Sequence, residues 1–333
     1  MKSIARKWII GLSSFVLAAA THVSGPALAQ TQVPIATFPF PSVSNIIGDI
    51  IVAKGFDKAN GIEVKPIVYG TGGALWAGLA KGEIPVHNMS PFQLQKMRAD
   101  GVPIVMFGTL LRMTALQVVS KNPDVKTFAD LRGRTFAGSV AFAEYSYLQI
   151  YARTIGMELG KDIQVVDANS ALAQAQLEAN RVDAIMTWEP AATLILKKNP
   201  DVRVILKGDD AWKAVTGEVG WELDLVIRTD FVEKNPGALA RILKMYKDAG
   251  DFVRTNPEEA DAIISSGKYA SKGIDPGTIM AGVQGGRLVY DVQPAWEPAV
   301  NAQLWKMLEA GLKYNQVPAL PERQAIMERA PAQ

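Results

Sequence analysis

Between Val33 and Ile227 short β-branched runs alternate with stretches of helical pattern, and no Ser/Gly linker cuts the chain in two. Strand character falls on Val33–Thr37, Ile62–Val68, Ile104–Phe107, Ala115–Val119, Arg134–Ala137, Ile163–Val166, Val182–Thr187, Val202–Leu206 and Leu223–Ile227. Helical pattern falls between them: Ser44–Lys54, a stretch from Gly70 through Ala80, one from Ser90-Pro91 to Gly101, then Ala141–Ile155, Ser170–Ala179 and Glu189–Lys198. Several starts and stops are written out. Ser90-Pro91 is an N-cap followed by proline at the first helical position, Asn169 or Ser170 caps the next, and Thr127-Phe128-Ala129-Asp130 is a capping box with Asp for Glu that Gly133 ends. Such alternation predicts parallel sheets covered on both faces, the α/β class. After Leu223–Ile227 the chain reads as helices almost to its end.

A length of 333 residues suggests about two domains. Without a linker, these are expected as two lobes joined by crossing strands, Ala115–Ser120 and Leu223–Arg228, which bracket one α/β block. Hydrophobic residues make up 48% of the chain, enough for a buried core, which excludes a disordered architecture. The chain has no cysteine and only two histidines, His22 and His87. Disulfides, thiolate zinc sites, iron–sulfur clusters, a cysteine nucleophile and a multi-histidine metal site are therefore excluded.

Residues 1–29 read as a secretory signal: Lys2, Arg6 and Lys7, an apolar stretch from Trp8 to Ala20, and small residues up to Ala27-Leu28-Ala29. The apolar stretch is too short to span a bilayer, which needs about 20 residues. Removing this leader leaves 32 basic residues against 33 acidic ones, so no nucleic-acid surface is expected. The mature protein is expected to be soluble and exported, with His87 as its one histidine.

Five short motifs follow in order: Phe38-Pro39-Phe40, Tyr69-Gly70-Thr71-Gly72-Gly73, Phe128-Ala129-Asp130-Leu131-Arg132-Gly133-Arg134, the run from Arg181 to Ala191 containing Trp188-Glu189-Pro190, and Phe231-Val232-Glu233-Lys234-Asn235-Pro236. Together, behind a secretion signal, they make almost the whole mature chain resemble the solute-binding proteins of ABC importers in the nitrate/sulfonate/taurine group. The resemblance implies the type II periplasmic-binding-protein fold, two α/β lobes with a ligand cleft between them. Lobe I would comprise residues 30–114 and 228–333, and lobe II residues 115–227. It implies a periplasmic monomer that captures a small organic solute, such as an aliphatic sulfonate, a taurine-like zwitterion or a related organic acid. The solute would pass to an ABC permease of the inner membrane, with no cofactor, metal or catalysis. The same fold serves enzymes of thiamine-pyrimidine synthesis, the alternative reading, but their cysteine-rich motif is absent.

In open α/β sheets ligands sit where strands lead into helices. Thr71-Gly72-Gly73 occupies such a junction and forms either an oxyanion nest or merely a tight turn. Ser90 and Ser139 stand at two more, as ligand contacts or as simple caps. The helix start containing Glu144 and Tyr145 is expected to face the ligand, with Glu144 either a contact or a routine first-turn acid. Trp188 is expected to wall the cleft, and Glu189 to read a cationic head or cap its helix. Glu222 belongs to a second acidic–aromatic cluster, Trp221–Asp224, while Phe38 and Phe40 would supply the opposite apolar surface. Carboxylates beside aromatics favour a zwitterion or an aromatic-bearing solute over a bare inorganic anion. His87 is expected in a hydrogen-bonded scaffold position.

Overall fold

The structure, a computed structural model, describes residues 30–331 except Phe40 and Ala141. The leader and the Phe40 wall therefore lie outside the described residues. β1 (Thr31–Thr37) pairs in parallel with β2 (Ile62–Val68), and between them run α1 (Val43–Lys54) and the short α2 (Phe56–Ala59). The isoleucines at 46, 47, 50 and 51 of α1 are all fully buried, so this helix is inserted into the core rather than laid on it. α3 (Gly72–Lys81) leads to β3 (Val86–Met89), α4 (Pro91–Ala99) to β4 (Ile104–Arg112).

A five-stranded sheet follows, in the order β7-β6-β8-β5-β9. Its strands are β5 (Leu116–Ser120), β6 (Thr135–Gly138), β7 (Gln164–Asp167), β8 (Ala184–Trp188) and β9 (Arg203–Lys207). Helices α5 (Ala143–Thr154), α6 (Ser170–Glu178) and α7 (Ala191–Lys198) alternate with them, and α8 (Gly208–Thr216) leaves β9 directly. β6 runs parallel to β7 and β8, whereas β5 is antiparallel to both β8 and β9. The chain then returns: β10 (Trp221–Arg228) lies between β3 and β4, antiparallel to both. The rest is helical, with α9 (Thr229–Lys234), α10 (Ala238–Thr255), α11 (Pro257–Ser265), α12 (Thr278–Gln284) and α13 (Pro298–Lys313).

The mixed α/β class is the one the alternation predicts, but the sheets are not all parallel as expected. β10 runs antiparallel to β3 and β4, and β5 to β8 and β9, because these two strands enter their sheets from the other half of the chain rather than through a helical crossover. The two strands expected to cross, however, each belong to a single sheet, β5 to the five-stranded one and β10 to the β3-β10-β4 sheet. The chain changes sheet a few residues earlier each time, at the 3-10 turn Met113–Ala115 and at residues 217–220. These connections lie side by side, with the Met113 N–H donating to the Gly220 carbonyl at 3.0 Å. The physical reason is pairing: a fully buried strand keeps its ladder hydrogen bonds in one sheet, so the connection falls on residues outside it.

The helix α8 has no counterpart in the predicted elements. Its signal is Asp209-Asp210, which reads as solvated surface but sits in the first helical turn, where acids suit the dipole. β4 runs on to Arg112 rather than stopping at Phe107, because β10 pairs with it as far as Arg112, and Pro294 and Tyr290 form antiparallel bridges to its Gly108 and Leu111. The capping box holds, with Asp130 accepting from the Thr127 N–H at 2.8 Å.

Candidate functional site

A cavity of about 130 Å3 opens where several strand-to-helix junctions meet. One wall comes from the first half of the chain. Phe38 follows β1, Ser42 and Ser44 open α1, Gly72 and Trp76 open α3, and His87 to Ser90 end β3. The facing wall comes from the five-stranded sheet: Phe142 to Glu144 at the start of α5 and Trp188 at the end of β8. Glu222 and Leu223 at the start of β10 close it.

Local rules place these groups. Asn45 holds the Phe38 backbone from both sides, accepting from its N–H and donating to its carbonyl, each at 2.8 Å. Ser42 and Ser90 cap their own helices, accepting from the Asn45 and Gln93 N–H groups at 3.1 Å. Asn88 donates to the Ser44 hydroxyl at 3.0 Å, tying β3 to α1. Glu222 is skipped in the ladder: Trp221 pairs with Arg112 and Leu223 with Leu111, so Glu222 is the extra residue of a bulge. A bulge re-aims a side chain out of the strand's alternation, and here it turns Glu222 to the cavity.

The aromatic rings meet edge to face. Phe142 and Trp188 lie 5.7 Å apart at 75°, and His87 stands edge-on to both Trp76 (5.8 Å) and Phe38 (6.4 Å). Burial lowers the His87 pKa to about 3, so the ring is neutral at ordinary pH.

Carboxyls are the other half of the site. Glu144 and Glu222 hydrogen-bond to one another. Burial raises the Glu144 pKa, opposed by its own backbone N–H and by Glu222. Burial pushes Glu222 well above the carboxylate range, and the charges of Glu144 and Glu189 push it further, against an N–H from Leu116. Asp224 lies behind them, raised well above its usual value by burial against a weaker pull from Arg112. Two carboxyls in such contact hold a proton between them, because both cannot ionise without water. No lysine or arginine is among the described residues lining the cavity. Among the described residues, no cluster of His, Cys, Asp or Glu could hold a metal ion.

Of the expected site residues, Phe38, Gly72, Ser90, Glu144, Trp188 and Glu222 line this one cavity. Five others do not. Thr71 caps α3, accepting from the Ala74 N–H at 3.2 Å, and both it and Gly73 are exposed. Ser139 gives its carbonyl to the Phe142 N–H in the turn before α5. Tyr145 packs into the apolar core, one helical step from Glu144 and so on another face. Glu189 is corrected most sharply. It is fully buried and ion-paired with Arg287 at 2.9 Å, with the Thr193 hydroxyl donating to the same oxygen at 3.0 Å. The strand continues through Trp188, which sends the next side chain to the opposite side. His87, expected as scaffold, is instead a cavity wall. Phe142 lines the cavity as part of the helix start expected to face the ligand. Trp76 and Asn88 line it without having been expected, although Trp76 lies one helical turn beyond Gly72 and could have been found by that spacing.

The family model described as "NMT1/THI5 like" matches residues 45–260. The chain belongs to this family. The NMT1/THI5-like chain is 29% identical over 182 residues to a "Putative thiamine biosynthesis protein" of Haemophilus influenzae, covering 54% of this chain and 56% of that one. It is 24% identical over 207 residues to the taurine-binding periplasmic protein of Escherichia coli, covering 61% of each. It thus spans little more than half to three fifths of the length of these relatives. Among solved structures, the periplasmic aliphatic sulphonate binding protein SsuA from Escherichia coli has the same fold, with a TM-score of 0.73 at 20% identity, covering 91% of this chain and 93% of that one. The fold of this family member is therefore that of the periplasmic binding proteins.

Proposed function

We propose that this chain is the solute-binding component of an ABC importer, exported to the periplasm, which captures a small organic solute and presents it to a permease. The observation that carries the reading is the cavity itself, small, aromatic and built from junctions of both halves of the chain. Two lobes, one built on the β3-β10-β4 sheet and one on the five-stranded sheet, so that the expected boundary at 227 moves back to 217–220, would close on the solute about the paired connections at Met113–Ala115 and 217–220. A solute touching both walls binds the closed state better, and that difference drives closure, as in the periplasmic binding proteins that serve as a standard case of hinge motion. The taurine- and sulphonate-binding relatives support the class. Binding without turnover is supported by His87, whose neutral, weakly basic ring is a poor proton acceptor.

The test pairs a thermal-shift screen of sulfonates, amino-sulfonates, aromatic acids, amines and pyrimidines with small-angle scattering. A ligand is expected to raise the midpoint by mass action, to contract the particle, and to be recovered unchanged. Trp188→Ala is expected to weaken it by about 2 kcal/mol, the usual cost of removing a buried aromatic contact. Identical compactness with and without every stabilising solute, or recovery of a converted product, would overturn the proposal.

A further inference from the structure

The lining of the cavity is one-sided in charge. Two buried carboxyls, Glu144 and Glu222, face it beside the rings of Phe38, Trp76, Phe142 and Trp188, and no cationic side chain among the described lining residues opposes them. Ring faces carry negative potential and attract a cation, most strongly when it is desolvated. A desolvated carboxylate repels an anion and pairs with an N–H donor. Glu222 Oε2 is buried and no N–H or O–H donor reaches it, so this lining residue carries an unmet acceptor.

We propose that the cavity selects an organic cation, a compact solute bearing a protonated amine or amidine, and that its capture expels the proton held between Glu144 and Glu222. The exchange balances. One positive charge enters, one proton leaves to solvent, and the buried site keeps the same net charge, so no further desolvation of charge is needed. The surroundings hold the released state at the pair alone. Behind Glu222, burial raises the Asp224 pKa well above its usual value, and the Tyr147 pKa of α5 is raised by its own burial and then by all three carboxyls. Arg112 of β4 acts on Asp224, Glu189 on Glu222, and His87 of β3 is neutral. Affinity for the cation therefore rises with pH, by at most about tenfold per unit for one proton released.

This rests on the solute-binding reading, and one set of titrations separates the two. Benzylamine and benzamidine are compared with benzoate and benzenesulfonate by calorimetry near pH 7, in phosphate and in Tris, with scattering on each mixture. The cations are expected to bind and contract the particle, with heats that differ between buffers by about one proton per site. The anions are expected to bind at least about tenfold more weakly. Glu222→Gln and, as a second variant, Glu144→Gln should each lose the buffer dependence and about tenfold in cation affinity, with circular dichroism unchanged. Anions binding as well as cations, cations binding with equal heats in both buffers, or neither cation binding would overturn the inference. Contraction by an anion alone would do so while leaving the transport reading intact, whereas no contraction with any solute would remove both.

Discussion

Asp224 buries both carboxylate oxygens where no donor reaches them, and His87 buries an imidazole among aromatic rings. Both are held neutral by the same desolvation, yet their effects on stability run in opposite directions. The folded Asp224 keeps a proton that the unfolded chain releases near its ordinary pKa of about 3.9, so its contribution falls as pH rises above that value. The folded His87 refuses a proton that the unfolded chain accepts near 6.5, so its contribution falls as pH drops from there toward about 3. Two outcomes are expected from urea unfolding at several pH values. Asp224→Asn should lose less stability than the parent between pH 5 and 8, by at most about 1.4 kcal/mol per unit. His87→Gln should lose less between pH 6.5 and 4. Parallel curves for variant and parent would refute either one. From sequence, Asp224 was legible only as one of a cluster and His87 as scaffold, since burial is a property of neighbours distant along the chain.

At the scale of elements, two junctions position the site. β9 runs into α8 through Gly208, where a Cβ would lie 2.4 Å from the Met113 carbonyl oxygen and 2.8 Å from the Leu116 Cβ. Backbone cannot step aside as a side-chain tip can, so Gly208→Ala is expected to cost about 1–3 kcal/mol in chemical denaturation. An unchanged midpoint would mean that the connection at Met113–Ala115 is looser than the structure has it. The second junction is the start of α7. Glu189 and Thr193 meet Arg287 there, and the Lys197 ammonium donates to the Pro276 carbonyl at 2.8 Å, so α7 is tied to the α12 region. Arg287→Met should cost about 2–3 kcal/mol, below the full cost of a stranded charge because Glu189 can take up a proton. Adding Glu189→Gln should recover most of it; a double variant as unstable as the single one would contradict this. The element types at both junctions were readable from caps and periodicity. That Glu189 faces away from the cavity while Trp188 faces it was decided by how far β8 extends.

Across the whole molecule the apolar interior is continuous from one half to the other. Phe92 of α4 lies 5.1 Å from Tyr147 of α5, which lies 5.3 Å from Trp212 of α8, and α13 packs on both α4 and α8. The closure proposed above would have to pivot about this seam rather than separate it. Deleting residues 298–331 would uncover the seam, including Phe92 against Gly311. The truncated chain is expected to unfold at lower denaturant and to bind a hydrophobic dye, and a cooperative transition at the parent's midpoint would count against the seam's role.

The order of residues determined the α/β class, nearly every strand and helix up to Ile227, the capping box and the junctions where a ligand could sit, because periodicity and capping are interactions within a few positions. It also named six of the residues that line the cavity. Tertiary structure alone decided which carboxyls face it: a one-residue bulge turned Glu222 inward, and one more strand residue turned Glu189 away to Arg287. Side chains alternate across a strand, so a shift of one position exchanges faces, and only pairing with distant strands fixes that register.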